Sequence, residues 1–254
     1  MTNHWVCSYG NRQGALAPCL VCEGKGVHET GGHPVHGATG SLAAPEAISW
    51  RARTFPFDFH ARRPIRFFPA RPEPFSAHTL EIGAGRGEYL FAQAAAHPDL
   101  IFAGIELSRR RYASLIARLQ RLGLVNVFLM QGDARFVFPH VVPDRSLMRL
   151  VALFPDPWPK RRHAIQRLFT PEFLARAIRA LKPGGEFLVK TDVQRYAEQI
   201  ARHAAGLDGV SVVLHTDRPG DDGAGLLLTH FERRQRAAGC AIHTLRIVTP
   251  TGDL

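Results

Sequence analysis

Lysine and cysteine are scarce in this chain, and long apolar runs are absent. Of the 32 basic residues in the 254-residue sequence, four are lysine and the other 28 are arginine. An excess of arginine suits phosphate, because the planar guanidinium donates two parallel hydrogen bonds to phosphate oxygens. Codon bias in a GC-rich genome is the better explanation of the arginine-to-lysine ratio by itself. It does not explain the net charge of +10.

The lack of long apolar runs argues against a membrane protein. Charge or proline interrupts each apolar stretch well before the roughly 20 residues that a bilayer span needs. Residues 1–26 also lack the basic start and the apolar core of a signal peptide. We therefore expect a cytoplasmic protein.

The four cysteines give little support for a metal site. Cys19 and Cys22 lie near three histidines, which is compatible with half of a zinc site, but the second half lacks the usual ligand spacing. Residues 1–50 are rich in glycine and proline and have weak periodicity. We predict that they form a poorly ordered N-terminal extension without a metal, followed by one catalytic domain over residues 51–254.

The basic residues are concentrated in clusters after the nearly neutral first fifty positions. A polyanionic partner is the economical interpretation, and a merely solvated surface is the alternative. The clusters contain Arg51, Arg53, Arg62, Arg63, Arg66 and Arg71, then Arg109, Arg110, Arg111, Arg118 and Arg121, then Lys160, Arg161, Arg162 and Arg167, and last Arg233, Arg234 and Arg236.

From Thr79 onward, short apolar runs alternate with amphipathic stretches, which is typical of βαβ units. The pattern predicts an α/β fold, a single Rossmann-like domain with a seven-stranded, mostly parallel sheet and helices on both faces. The predicted strands are 79–82, 101–105, 126–130, 147–154, 186–190, 210–214 and 241–248. The predicted helices are 87–97, the segment from the Ser108 cap to Gly123, the segment from Thr170 to a stop at 182–185, and the segment from an Asp192 cap to Ala205.

A glycine-rich turn follows the strand at 79–82. Gly83, Gly85 and Gly87 have the spacing G-x-G-x-G, which differs from the dinucleotide fingerprint. Glu81, just before the turn, would repel a pyrophosphate and attract a cation. The methionine part of S-adenosylmethionine carries an ammonium and a sulfonium, so it suits this carboxylate.

Two further acids follow the next predicted strands. Glu106 is placed to accept hydrogen bonds from ribose hydroxyls, and Asp133, followed by Ala134, is placed to contact an adenine amino group. Each acid alone is often only a helix cap. Together with the glycine turn they predict a nucleoside-bearing cofactor, and the pattern resembles the class I S-adenosylmethionine-dependent methyltransferases.

Residues 154–163, Phe-Pro-Asp-Pro-Trp-Pro-Lys-Arg-Arg-His, follow the predicted central strand. The three prolines stiffen the loop and remove backbone donors, so such a run rarely serves regular structure. The loop presents a carboxylate for the donor edge of a purine, a ring for stacking, and basic groups for phosphates. The alternative is a rigid loop with a core tryptophan and solvated charges.

This segment is similar to the signature of the bacterial tRNA (guanine-N7)-methyltransferases, and the resemblance extends over residues 80–232. The resemblance implies that Glu81, Glu106, Asp133 and Asp156 bind the cofactor and that Asp156 is catalytic. It also implies tRNA contacts at Lys160, Arg162, His163, Arg167, Asp192, Thr229, His230, Phe231 and Glu232. It suggests a monomer or a homodimer. The chain departs from the family pattern at Ala84 and Arg86 in the glycine turn, and at Arg233-Arg234-Gln235.

Guanine N7 carries a lone pair and no proton, so methyl transfer to it needs no strong base. We expect most of the acceleration to come from alignment and from control of charge. Asp156 is then an orienting residue that accepts hydrogen bonds from the guanine N1-H and N2 amino groups. The rival hypotheses are a methyltransferase for another RNA position or a small molecule, and an RNA-binding protein that has lost catalysis.

Overall fold

An eight-stranded sheet with six helices forms the part of the chain that the computed structural model describes, which is residues 65–69, 75, 77–158, 167–217 and 228–252. The strands are β1 (Arg66–Phe68), β2 (Thr79–Ile82), β3 (Phe102–Glu106), β4 (Val127–Gln131), β5 (Leu147–Leu153), β6 (Leu181–Thr191), β7 (Ser211–Asp217) and β8 (Ile242–Val248). The helices are α1 (Glu88–Ala96), α2 (Arg109–Leu122), α3 (Ala134–Val141), α4 (Pro171–Arg179), α5 (Gln194–Ala205) and α6 (His230–Ala237).

The sheet has the order β1-β4-β3-β2-β5-β6-β8-β7. β4, β3, β2, β5 and β6 are parallel, whereas β1 pairs antiparallel with β4, and β8 pairs antiparallel with both β6 and β7. The chain proceeds from β2 toward one edge through β3 and β4, then returns to the other side of β2 with β5. This reversal opens a crevice at the carboxyl ends of β2 and β5, where open α/β sheets bind their ligands.

Helices cover both faces of the sheet, as predicted. On one face, apolar residues of α1 and α2, such as Phe91 and Leu115, pack against β3 and β4. On the other face, α3, α4 and α5 bury residues such as Phe138, Leu174 and Ile200 against the sheet. β3 and β4 are nearly continuous in apolar character because both of their faces are buried.

Local signals in the sequence set several helix ends. The Ser108 hydroxyl accepts a hydrogen bond from Arg111 N and begins α2, and Gly123 ends it. The Thr170 hydroxyl accepts one from Phe173 N, and Pro171 occupies the first turn of α4. These caps satisfy backbone N-H groups that have no partner within the helix.

Three predictions about elements are wrong. The sheet has an eighth strand, β1, that the sequence pattern did not indicate. Residues 182–185 do not close α4, which ends at Arg179; they lie in β6, where the pairing with β5 shifts register. Asp192 does not cap α5, because Val193 holds the cap position without a side-chain bond. The predicted domain boundary near residue 50 lies outside the described residues.

Candidate active site

A cavity of about 370 Å³ lies at the crevice between the ends of β2 and β5. The glycine turn and α1 form one wall, and the end of β5 with the start of α6 forms the other. Its lining residues are Glu81, Gly83, Ala84, Gly85, Arg86, Glu88, Tyr89, Arg111, Leu153, Phe154, Thr229, His230, Phe231 and Arg234. The topology therefore brings the predicted cofactor turn and Phe154, the first residue of the predicted acceptor loop, to one cavity, which Asp156 does not line.

The glycines of the turn serve two different purposes. All three have positive φ, 75° at Gly83, 56° at Gly85 and 70° at Gly87. A Cβ on Gly83 would meet nothing within 4 Å, so this position leaves open space beside the backbone. A Cβ on Gly87 would lie 2.5 Å from the Phe91 ring. Gly87 is therefore required for packing under the turn. Of the three glycines, Gly83 and Gly85 line the cavity and Gly87 does not.

Glu81 carries a buried carboxylate oxygen that has no hydrogen-bond partner among the described residues. The side chain is buried, and its Oε2 atom is the unpartnered one. Burial raises the pKa of Glu81 well above its ordinary value, and the nearby charges of Glu106 and Glu88 raise it further, against a backbone hydrogen bond at Leu90. A cationic group in the crevice would satisfy this oxygen, and the methionine part of S-adenosylmethionine fits that requirement.

Glu106 links the glycine turn to β3. Its Oε2 accepts a hydrogen bond from Gly85 N at 2.9 Å, and its Oε1 accepts one from Ser108 N at 2.8 Å. These two hydrogen bonds fix the position of the glycine turn relative to the end of β3. Each oxygen keeps a further lone pair, so the predicted ribose contact stays compatible with this arrangement.

Asp133 and Ala134 stand at the start of α3. The Asp133 carboxylate accepts a hydrogen bond from Arg135 N at 2.9 Å and forms an ion pair with Arg135 Nη2 at 2.6 Å. Ala134 is buried in the core. Neither residue lines the cavity, and their predicted contact with the cofactor stays a prediction.

The acceptor loop leaves β5 with a strained backbone. Phe154 and Trp158 have φ angles of 53° and 42°, which are uncommon for bulky side chains. Phe154 N donates a hydrogen bond to Lys190 O at 2.8 Å, which fixes the start of the loop on β6. Asp156, the predicted catalytic residue, is exposed and forms no hydrogen bond with any residue that the structure describes. Its carboxylate is available to a substrate.

Arg167 holds the acceptor loop in place. Its Nε donates to Pro157 O at 2.9 Å, its Nη2 donates to Trp158 O at 3.0 Å, and its Nη1 donates to Gln199 Oε1 at 2.6 Å. The sequence predicted this arginine as an RNA contact. The structure places its guanidinium between the loop and α5, a role that no local sequence signal indicates.

The start of α6 closes the cavity on the acceptor side. The Thr229 hydroxyl caps the helix by accepting a hydrogen bond from Glu232 N at 3.2 Å. His230 N donates to Glu88 Oε2 at 2.5 Å, which joins α6 to α1 across the crevice. The Phe231 ring packs on Phe154 with centroids 4.7 Å apart. Thr229, His230 and Phe231 thus line the cavity, and their predicted contact with tRNA stays a prediction.

Glu232 lies in a buried charge network. Its side chain is completely buried, and Lys190 Nζ lies 2.9 and 3.0 Å from its two oxygens. Arg236 bridges Glu232, at 2.8 Å, and Asp217 on β7, at 2.5 Å. Both oxygens of Glu232 are engaged within the protein, so we interpret its role as positioning α6 rather than contacting RNA directly.

The remaining predicted substrate residues divide between two situations. Asp192 is half-buried, and its Oδ2 accepts a hydrogen bond from Gln235 Nε2 at 2.6 Å, so it adds a second link between β6 and α6. Lys160, Arg162 and His163 lie outside the described residues. Their contacts with tRNA stay predictions.

Neither a metal site nor a membrane span is found in the described part of the chain. No three histidine, cysteine, aspartate or glutamate side chains there cluster closely enough to hold a metal ion. Within the same ranges, no helix combines the length and the apolar character that crossing a bilayer requires. Cys19 and Cys22 lie outside these ranges.

Comparison with known proteins defines the class first. Residues 76–245 match the family model described as "Putative methyltransferase". The fold is also that of the solved 16S rRNA methyltransferase KamB, at a TM-score of 0.50 and 20% identity, covering 70% of this chain and 90% of the other. The chain is therefore a methyltransferase with the predicted Rossmann-like fold.

Relatives of higher identity define the family. The chain is 40% identical over 171 residues to the tRNA (guanine-N(7)-)-methyltransferase of Nitrosococcus oceani, and the match covers 66% of this chain and 69% of that protein. It is 38% identical over 176 residues to the enzyme of the same name from Pseudomonas entomophila, covering 66% and 70%. This chain belongs to the tRNA (guanine-N(7)-)-methyltransferase family, and the predicted family and enzyme class are confirmed.

Proposed function

We propose that this protein transfers a methyl group from S-adenosylmethionine to N7 of a guanosine in tRNA. One observation carries the proposal beyond family membership. Glu81, which has an unpartnered carboxylate oxygen, lines the same cavity of about 370 Å³ as Phe154, the first residue of the acceptor loop, so a carboxylate suited to a cation and the start of the acceptor loop meet at one cavity. A methyl donor that is itself a cation suits this pairing.

The residues of the cofactor wall fit S-adenosylmethionine. Glu81 would hold the cationic methionine part, and the open space beside Gly83 would allow the ligand to approach the backbone closely. Glu106, fixed by two backbone N-H groups, is the acid for the ribose. The cofactor supplies a methyl group activated by a positively charged sulfur.

The residues of the acceptor wall need to orient a guanine rather than deprotonate it. N7 attacks through its own lone pair, the base gains a positive charge, and no proton leaves. The exposed Asp156 carboxylate would accept hydrogen bonds from the N1-H and N2 amino groups, and its negative charge would favour the methylated base. Phe154 and Phe231 offer ring surface at the cavity. The protein then acts where tRNA is found, in the cytoplasm.

Transfer of labelled methyl from S-adenosylmethionine to an unmodified tRNA transcript tests the proposal. The matched control is the same transcript with every guanosine replaced by 7-deazaguanosine, which pairs normally but has no N7. We expect label in the first transcript, chain cleavage at 7-methylguanosine, and no label in the second.

Two other outcomes are informative. Equal labelling of both transcripts would keep the methyltransferase class and exclude N7 as the acceptor. Tight tRNA binding without any transfer would instead favour an RNA-binding protein that has kept the fold and lost catalysis.

A further inference from the structure

Helix α2 has an unusual charge pattern. Five of its 14 residues are arginine, and none is acidic. Tyr112, Leu115 and Leu119 face the core, and the arginines lie away from it. Three arginines in succession begin the helix, where the positive end of the helix dipole makes cations unfavourable. The three arginines in the first turn are therefore unfavourable for the stability of α2 in the isolated protein. A bound anion would neutralise their charge and remove this electrostatic cost.

The arginines of α2 line a groove next to the crevice. The groove has a volume of about 840 Å³, and Arg86, Arg110, Arg111, Arg118 and Arg121 lie along it without any acidic lining residue. Within the described ranges, Arg110, Arg111 and Arg121 form no ion pair with a carboxylate. Several uncompensated guanidinium groups in one concave surface attract a polyanion.

The groove is firmly attached to the glycine turn. Arg118 Nη1 donates a hydrogen bond to Arg86 O at 2.7 Å, and its guanidinium lies 5.6 Å from the centre of the Phe91 ring. Gly85, Arg86 and Arg111 line both the groove and the crevice. A ligand in the groove would therefore continue directly into the site of methyl transfer.

We infer that this groove binds the sugar-phosphate backbone of the RNA whose base enters the crevice. The inference rests on the proposed function and adds a second contact surface to it. Arg110 and Arg121 are separated by 11 positions, which is about 16 Å and three turns along one helix face. That length exceeds a single phosphate ion and fits several consecutive phosphates. One guanidinium group can donate two parallel hydrogen bonds to the oxygens of one phosphate.

The test compares two double variants in binding to an unmodified tRNA transcript at several salt concentrations. Arg110→Gln with Arg121→Gln removes two exposed groove arginines that do not line the crevice. Arg179→Gln with Arg202→Gln removes two exposed arginines from the last turns of α4 and α5, with the same loss of charge. We expect the groove variant to bind tRNA roughly tenfold more weakly. The plot of log affinity against log salt concentration should also become less steep, by about 0.7 to 0.9 for each of the one or two phosphate contacts that are lost. Its affinity for S-adenosylmethionine stays at the wild-type value.

The outcomes separate this inference from the proposed function. If wild-type protein methylates guanosine N7 while the groove variant keeps its tRNA affinity and salt slope, the groove is not an RNA site and the proposed function stands. Equal losses in the two double variants would overturn the inference as a general charge effect. Wild-type protein that neither binds nor methylates tRNA would refute both.

Discussion

The cofactor wall and the acceptor wall of the crevice are assembled from different kinds of contact. On the cofactor wall, backbone N-H groups of Gly85 and Ser108 hold the Glu106 carboxylate across 21 and 2 positions of the sequence. On the acceptor wall, long side chains hold the parts together: Arg167 spans from the loop to Gln199, and Lys190 reaches Glu232. The cofactor wall thus depends on one carboxylate held by two backbone groups, whereas the acceptor wall depends on contacts between side chains that lie 32 and 42 positions apart.

The largest expected effect is on the buried charge network of the acceptor wall. Lys190→Met leaves Glu232 in the core with Arg236 as its remaining charged partner. Breaking a buried ion pair in this way costs about 3 kcal/mol of the free energy of unfolding. Chemical denaturation measures the loss, and Lys182→Met, at an exposed lysine of the same strand, is the control with a change below about 0.5 kcal/mol. Equal stability of the two variants would show that the network does not hold the wall.

The next effect compares two glycines of the cofactor wall. Gly83→Ala and Gly87→Ala both place a Cβ at positive φ, but only the second drives it into the Phe91 ring at 2.5 Å and into Leu115 at 2.8 Å. Overpacking adds about 2 kcal/mol to the cost, so denaturation curves should show Gly87→Ala as the less stable variant. Gly83→Ala should be the one that weakens binding of S-adenosylmethionine in calorimetry. The reverse ranking would contradict the division of roles between the glycines.

A smaller effect is expected at Arg167, where the two interpretations of one residue diverge. The Arg167 guanidinium donates hydrogen bonds to the carbonyl oxygens of both Pro157 and Trp158, which a lysine cannot bridge. If these bonds position the loop, Arg167→Lys and Arg167→Gln should both lower the transfer rate by about tenfold. Affinity for tRNA should change by less than about twofold. Recovery of activity in the lysine variant would instead support the phosphate contact that the sequence predicted.

The smallest effect is a pH dependence on the cofactor wall. Because burial raises the pKa of Glu81 in the folded protein, the folded state binds more protons than the unfolded state above the ordinary value of 4.5. The contribution of Glu81 to the stability of the cofactor-free protein should therefore be fully present below that value and be lost as the pH rises through the folded pKa. Glu81→Gln should remove this decline. Parallel stability curves for wild type and variant between acidic and neutral pH would show that folding does not raise the pKa of Glu81.

Local patterns explain why the cofactor half was predictable from the sequence. β2 lies at residues 79–82 as predicted. β3 and β4 begin and end one residue later than predicted, and β5 ends one residue earlier. The glycine turn and the caps at Ser108 and Thr170 act over three or four residues, so their signals are contained in short stretches. The positions of Glu81 and Glu106 near the ends of β2 and β3 follow from the predicted strand bounds.

Contacts between distant residues explain what the sequence did not show. β1 has only three residues and exists because it pairs with β4. α3 contains Pro139, which interrupts the helical pattern. The buried residue of α6 is Glu232, so its sequence lacks an apolar stripe and its partner Lys190 is 42 positions away. The roles of Arg167 and Glu232 within the protein depend on such pairings, and a single sequence does not reveal them.

The most direct test of the account is the rate of methyl transfer to unmodified tRNA by Asp156→Asn at saturating S-adenosylmethionine, with the product mapped at 7-methylguanosine. The substitution keeps the size of the side chain, removes the negative charge from the exposed loop and replaces one acceptor oxygen with an NH2 donor. We expect a rate lower by about a hundredfold or more, with folding and tRNA affinity retained. A variant that methylates N7 at the wild-type rate would show that Asp156 is not the catalytic residue.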